Sequence, residues 1–155
     1  MDAVDRSILD ALRANARATY AELARAVGLS APAVHERVGK LEAQGIITGY
    51  HAAVAPESLG YSMSALVGVF LTDIANPDEV AECLEELSAV EDCWFVAGEE
   101  SFVVKLRVLD ISALEQAIRA VTQIRGVART RSTVVLSTRF EGRVQAAGQA
   151  TGQPS

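Results

Sequence analysis

Apolar residues recur every three or four positions through the first third of the chain and in strand-like runs through most of the rest. The change divides a helical head from a strand-containing body. In "VDRSILDALRANAR", Val4, Ile8, Leu9 and Leu12 fall on one face of a helix. Thr19 and Glu22 have the spacing of a capping box, in which side chain and backbone satisfy two orphan donors reciprocally, and so mark the start of a second helix. That helix carries Leu23 and Val27 inward and stops at Gly28, which can take the left-handed conformation that terminates helices. Leu29 plugs the turn, and Ser30 caps a third helix. Pro32 is tolerated in the first turn, where no intrahelical N–H bond is required.

The third helix divides into two unlike sides. Val34, Val38 and Leu41 cluster on one, while Pro32, Ala33, Glu36, Gly39, Lys40 and Ala43 lie opposite, flanked by His35 and Arg37. Ala33, Gly39 and Ala43 let another surface approach the backbone closely. A helix meeting only water more often carries Lys, Glu and Gln throughout. Two readings fit this pattern: a solvated face of a short helical bundle, or a surface that lies in a groove of duplex DNA.

Beyond Ile46 the stretch "IITGYHAAVAPESLGY" reads as a short extended piece with Gly49, Pro56 and Gly60 as punctuation, a connection between domains. Then "SMSALVGVFLTD" is a strand, and Asn76 with Glu79 caps a helix that carries Val80, Leu84 and Leu87 inward. "VEDCWFVAG" and "SFVVKLRVLD" form a hairpin across "GEES". Ser112 with Glu115 caps a helix with Leu114, Ile118 and Val121 inward, and "GVARTRSTVVLSTRF" is a last strand. The order βαββαβ is that of a ferredoxin-like sandwich. Phe102, Val104, Leu106 and Val108 alternate with Val103, Lys105 and Arg107, so one sheet face packs on helices and the other meets something else. "ALVGVF" is apolar on both faces and needs a cover, for which a second copy of the domain serves; a dimer at least is expected.

The chain has 155 residues, half of them apolar, and a formal charge of −6. The acidity argues against DNA as a partner until it is located. Residues 1–60 are nearly balanced, and the deficit lies in the body, notably "DEVAECLEE". A near-neutral head implies few phosphate contacts per subunit and modest affinity from one head, which tethered copies would offset. No apolar run approaches the ~18 residues that span a bilayer, and the acidic, amphipathic N-terminus is unlike a secretion signal, so a cytoplasmic protein with no membrane contact is expected. Cys83 and Cys93 fit no metal spacing and are expected to be small, reduced core residues. No nucleophile with a base partner and no phosphate-cradling glycine loop is evident. Neither an enzyme nor a metal or other cofactor is expected.

With turn, connection and duplicated sandwich in place, the sequence resembles the Lrp/AsnC family of transcriptional regulators from about Val4 to Phe140. The resemblance is carried by "VDRSILDAL", "ATYAELARAVGLSAPAVHERVGKLEAQGIITGY" and "VAGEESFVV". It implies an α+β fold, an N-terminal winged-type helix-turn-helix domain joined to a C-terminal βαββαβ ferredoxin-like sandwich. The expected divisions are 1–45 for the DNA-binding domain, 46–61 for a linker or hinge strand, 62–140 for effector binding and oligomerisation, and 141–155 for a disordered tail. Double-stranded DNA, an amino-acid effector between subunits, and a homo-oligomer (dimer, tetramer or octamer) are the implied partners. The alternative is a ligand-binding or scaffolding module whose helical head contacts protein.

For DNA, the expected contacts are Ser30, Pro32, Ala33, His35, Glu36, Arg37 and Lys40. Arg37 and Lys40 are the candidate guanine or phosphate contacts, and Ser30 can donate to a phosphate. Glu36 either accepts from cytosine or pairs with Lys40 one turn on, and His35 is either a base reader or a partly exposed polar residue. Family members frequently carry a basic residue where Gly39 stands. For the effector, the resemblance points to Gly98, Glu99, Glu100, Ser101, Phe102, Ser132, Thr133 and Val135. Carboxylates would take the ammonium, hydroxyls and backbone groups the carboxylate, and Phe102 and Val135 would wall the slot. On composition alone "GEES" is a polar hairpin turn. Many relatives have an aspartate where Ser101 stands, which leaves the ammonium to Glu99, Glu100 or a carbonyl.

Overall fold

The computed structural model describes residues 1–143. It divides into two compact units, Met1–Ala53 and Val54–Arg139. The expected tail begins at 141, and its residues 144–155 lie outside the described ones. No helix among the described residues is long and apolar enough to cross a membrane.

Three helices form the first unit: α1 (Ala3–Ala14), α2 (Tyr20–Val27) and α3 (Ala31–Ala43). The Thr19–Glu22 capping box is complete, and Gly28 ends α2 in the left-handed region at φ 69°. Leu29 N–H then reaches back to the Ala24 carbonyl at 3.1 Å, so the chain reverses within two residues and presents Ser30 as the cap of α3. Ile8, Leu12, Leu23, Ala24, Val34 and Val38 make one core, with Val4, Val27, Leu29 and Ile47 packed around it. Leu41 is buried as well. The stretch 46–61 holds no strand: it runs without regular structure to a 3-10 turn at Pro56–Leu59. An extended segment becomes a strand only where a ladder accepts its backbone groups, and alternation in sequence does not supply that partner.

The second unit is one antiparallel sheet of β1 (Met63–Leu71), β2 (Val90–Phe95), β3 (Phe102–Val108) and β4 (Val127–Val135), in the order β2-β3-β1-β4. Helices α4 (Pro77–Glu85) and α5 (Ile111–Gln123) supply the crossovers. The register pairs Ala65 with Leu106, Val67 with Val104 and Val69 with Phe102. These side chains therefore share one sheet face, and they form the core with Val80, Leu84, Leu114, Ala117 and Val121 of the helices.

Three expectations need correction. The cap of α5 is Asp110, whose carboxylate accepts the Ala113 N–H at 2.8 Å, so Ser112 falls inside the first turn. Asn76 does cap α4, but it accepts from Asp78 N–H, two residues on, while its amide donates to Glu79. Cys83 and Cys93 are both exposed rather than in the core. Cys83 lies on the outward side of α4, and Cys93 on β2, an edge strand with a neighbour on one side only.

Leu106 is fully buried at the centre of the sheet core. Its replacement by Ala is expected to lower unfolding free energy by about 2–5 kcal/mol, measured by urea denaturation.

Candidate nucleic-acid interface and effector region

Burial of Val34, Val38 and Leu41 turns the other side of α3 outward: Pro32, His35, Glu36, Gly39, Lys40 and Ala43 are exposed, and Ala33 and Arg37 are half-buried. Among the described residues no atom from elsewhere in the head lies within 4 Å of where a Cβ on Gly39 would stand. Ser30 Oγ accepts the Ala33 N–H at 3.4 Å, which leaves its hydroxyl hydrogen to donate outward. The His35 ring meets Tyr20 edge-on at 4.8 Å between centroids, which pins it to α2. Tyr50 Oη donates to Glu42 Oε1 at 2.9 Å and ties the exit of the head back onto α3. Burial and this carboxylate push the Tyr50 hydroxyl up to about 12.

The two cations of α3 are both ion-paired. Lys40 Nζ lies 2.7 Å from Glu36 Oε1, so of the two uses expected of Glu36, pairing with Lys40 is the one made in the free chain. Arg37 Nη1 donates to Asp2 Oδ2 and to Asp5 Oδ1, each at 2.7 Å. Asp2 and Asp5 are in turn locked in a capping box that starts α1, Asp2 N–H to Asp5 at 2.9 Å and Asp5 N–H to Asp2 at 2.8 Å. Those backbone hydrogen bonds, then Arg37, hold both carboxyls below their ordinary value. Asp2 and Asp5 were not among the expected site residues. The i, i+3 spacing announces a cap, but nothing local announces a guanidinium more than thirty positions away.

In the second unit the expected effector residues fall on two sides of the sheet. Val69 pairs with Phe102 and Val67 with Ser132, so Phe102 and Ser132 face the helices, and Phe102 is core. Leu66 pairs with Thr133 and Ser64 with Val135, so Thr133 and Val135 face the open side. Phe102 and Ser132 therefore cannot line one slot with Thr133 and Val135. The reason is the period of two: adjacent strand residues point to opposite faces. Gly98, Glu99, Glu100 and Ser101 do form the turn between β2 and β3, with Ser101 N–H donating to the Val69 carbonyl at 2.9 Å. Glu100 folds over Gly68, where a Cβ would come within 2.7 Å of its Cγ, and meets Arg131 of β4.

Arg131 and Arg129 were not singled out beforehand. Arg129 stacks its guanidinium 3.4 Å above the Phe70 ring, and Arg131 lies at 5.7 Å from the same ring. Beside them on the open face, Lys105 and Arg107 share Glu91 of the bulged strand β2, with Arg107 Nε 2.9 Å from its Oε1. Leu66 and Trp94 of the same face remain 41% and 48% exposed. Among the described residues no group of three or more His, Cys, Asp and Glu could hold a metal ion.

Comparison with known proteins gives a consistent answer. Residues 1–42 match the AsnC-type helix-turn-helix domain, and residues 64–145 match the Lrp/AsnC ligand binding domain. The HTH-type transcriptional regulator LrpA of Mycobacterium tuberculosis is 41% identical over 92% of this chain and 95% of its own. Regulatory protein AsnC of Escherichia coli is 35% identical over 88% and 90%. The feast or famine regulatory protein of M. tuberculosis, solved in complex with L-methionine, superposes with a TM-score of 0.87 at 41% identity, covering 94% of this chain and 98% of that one.

Because Asp2 and Asp5 are held below the ordinary 3.8, their contribution to stability is complete above that value and is lost as pH falls through their lowered native values. Between about pH 5 and about pH 2, the melting temperature of Asp2→Asn/Asp5→Asn should fall less steeply than that of the parent. Parallel calorimetric scans give the comparison.

Proposed function

The chain belongs to the Lrp/AsnC family of transcriptional regulators, a DNA-binding helix-turn-helix joined to a ligand-binding domain, and we propose from that how its own residues act. Helix α3 enters the major groove with the side formed by Ser30, Pro32, Ala33, His35, Glu36 and Lys40. The observation that carries this reading is the outward, slim side of α3 set against buried Val34, Val38 and Leu41. Lys40 exchanges the exposed Glu36 for a phosphate, since an i, i+4 surface pair is weak, about 0.3–0.5 kcal/mol. Ser30 donates to a phosphate at the start of the helix. The chain works as a regulator rather than an enzyme, in the cytoplasm where its DNA is.

The open sheet face is covered by a second copy. Leu66 and Trp94 are the apolar surface that such an isologous contact removes from water. Dimers then assemble further, into tetramers or octamers, and the tethered heads offset the modest charge of each. An amino acid is the effector, as L-methionine is the ligand in the M. tuberculosis complex. It binds between subunits beside the Gly98–Ser101 turn. Glu99 and Glu100 supply acceptors for its ammonium, Arg131 a donor for its carboxylate, and Thr133 and Val135 the side of the slot. Phe102 and Ser132 leave the set because they face the helices.

Duplex binding followed by fluorescence anisotropy should weaken steeply with salt, and Lys40→Ala should lower the slope by about one. No binding to any pool of genomic fragments would favour a module whose head meets protein. Amino acids should raise the melting temperature, by an amount equivalent to about 2.7 kcal/mol at a hundred times the dissociation constant. A scan of all twenty without a shift would overturn the effector assignment. Light scattering should give at least twice the chain mass.

A further inference from the structure

Only two cations lie on α3, and the free head treats them differently. Lys40 and Glu36 are both exposed, 66% and 68%, one turn apart on one helix, a pair that solvent or a phosphate displaces readily. Arg37 is held from another helix by two carboxylates at 2.7 Å, and the inner one, Asp5, is only 15% exposed. Those carboxylates are not mobile acceptors, since each also caps the first turn of α1 through the other's backbone N–H. A DNA phosphate would have to displace two pre-positioned anions and leave them facing the backbone of the duplex.

We infer that Arg37 is a positioning residue of the reading head: it fastens α3 to the first turn of α1, and Asp2 and Asp5 keep its charge off the DNA. This rests on the DNA-binding reading above and replaces the direct contact expected of Arg37. The angle at which α3 meets a groove is then set partly by α1. The same two aspartates also suppress a free guanidinium that would bind any phosphate backbone regardless of sequence. The clamp thus supplies discrimination: it favours the selected duplex through the set of α3 and withholds a charge from unrelated ones.

The test uses the full chain and two duplexes, one selected by the protein from genomic fragments and one of unrelated sequence. Asp2→Asn/Asp5→Asn removes both charges and keeps amide oxygens that can cap α1, because asparagine caps as well as aspartate. Freed from its partners, Arg37 should then tighten binding to the unrelated duplex and steepen its salt slope by about one. Binding to the selected duplex should weaken by about tenfold. Arg37→Ala should weaken selected binding similarly and leave the unrelated-duplex slope unchanged, and the triple variant should be no worse than either.

A slope lowered by about one in Arg37→Ala, with the parent binding normally, would overturn the positioning role and leave the DNA reading intact. Failure of the parent to bind either duplex would strike the DNA reading itself. Should Arg37→Ala not fold, Arg37→Lys decides. An ammonium that cannot reproduce the guanidinium's donor geometry should weaken selected binding, whereas a simple phosphate contact would be preserved by lysine.

Discussion

Burial of one side of α3 is the constraint on which the head depends. Val34 and Val38 are sealed against Ile8, Leu12 and Leu23, and a helix fixed through those side chains has no freedom to choose its outer side. The turn at Gly28 sets where this helix begins, and the Ser30 cap sets its first residue. The outward position of Lys40, Glu36 and the small residues follows from the 3.6-residue period and needs no further interaction to maintain it. The clamp at Arg37 adds orientation to a surface that apolar packing has already selected.

How much of this was legible in the sequence follows the range of the interactions. Periodicity located the five α-helices and four strands of the described residues, and caps that act within three residues were readable at Thr19 and Ser30. At α5 the Ser112–Glu115 spacing points to a cap, but Asp110, two positions earlier and an equally good cap residue, takes that place. Composition cannot say that β2, which carries Cys93, is an edge strand, nor that Leu84 rather than its neighbour Cys83 takes the inward position on α4. The slot residues were mixed because a run such as Ser132, Thr133 looks contiguous in sequence, yet the pleat sends the two hydroxyls to opposite faces. The bonds from Arg37 to Asp2 and Asp5, and the stacking of Arg129 on Phe70, join distant positions and leave no local trace.

The open face of the sheet shows how charge and apolar surface are combined. Phe70 is not left to water: Arg129 covers its ring, while Arg131 is drawn to Glu100. The Lys105 and Arg107 side chains are largely buried and share Glu91, so their charges are matched where water is scarce. Lys105 and Arg107 can therefore be covered by another surface with their charges still matched, where an unmatched charge would be costly. The notch at Gly68 belongs to the same arrangement, because any larger side chain there would have to displace Glu100.

Met1 lines the same cleft as Ala33, Glu36, Arg37 and Lys40, some 340 Å³ beside the outer side of α3. Anything joined ahead of Met1 therefore emerges next to the helix assigned to the groove. A purification handle fused there would add its own bulk and charge at the point of contact. The position of a label is thus a variable in any measurement of this protein's affinity.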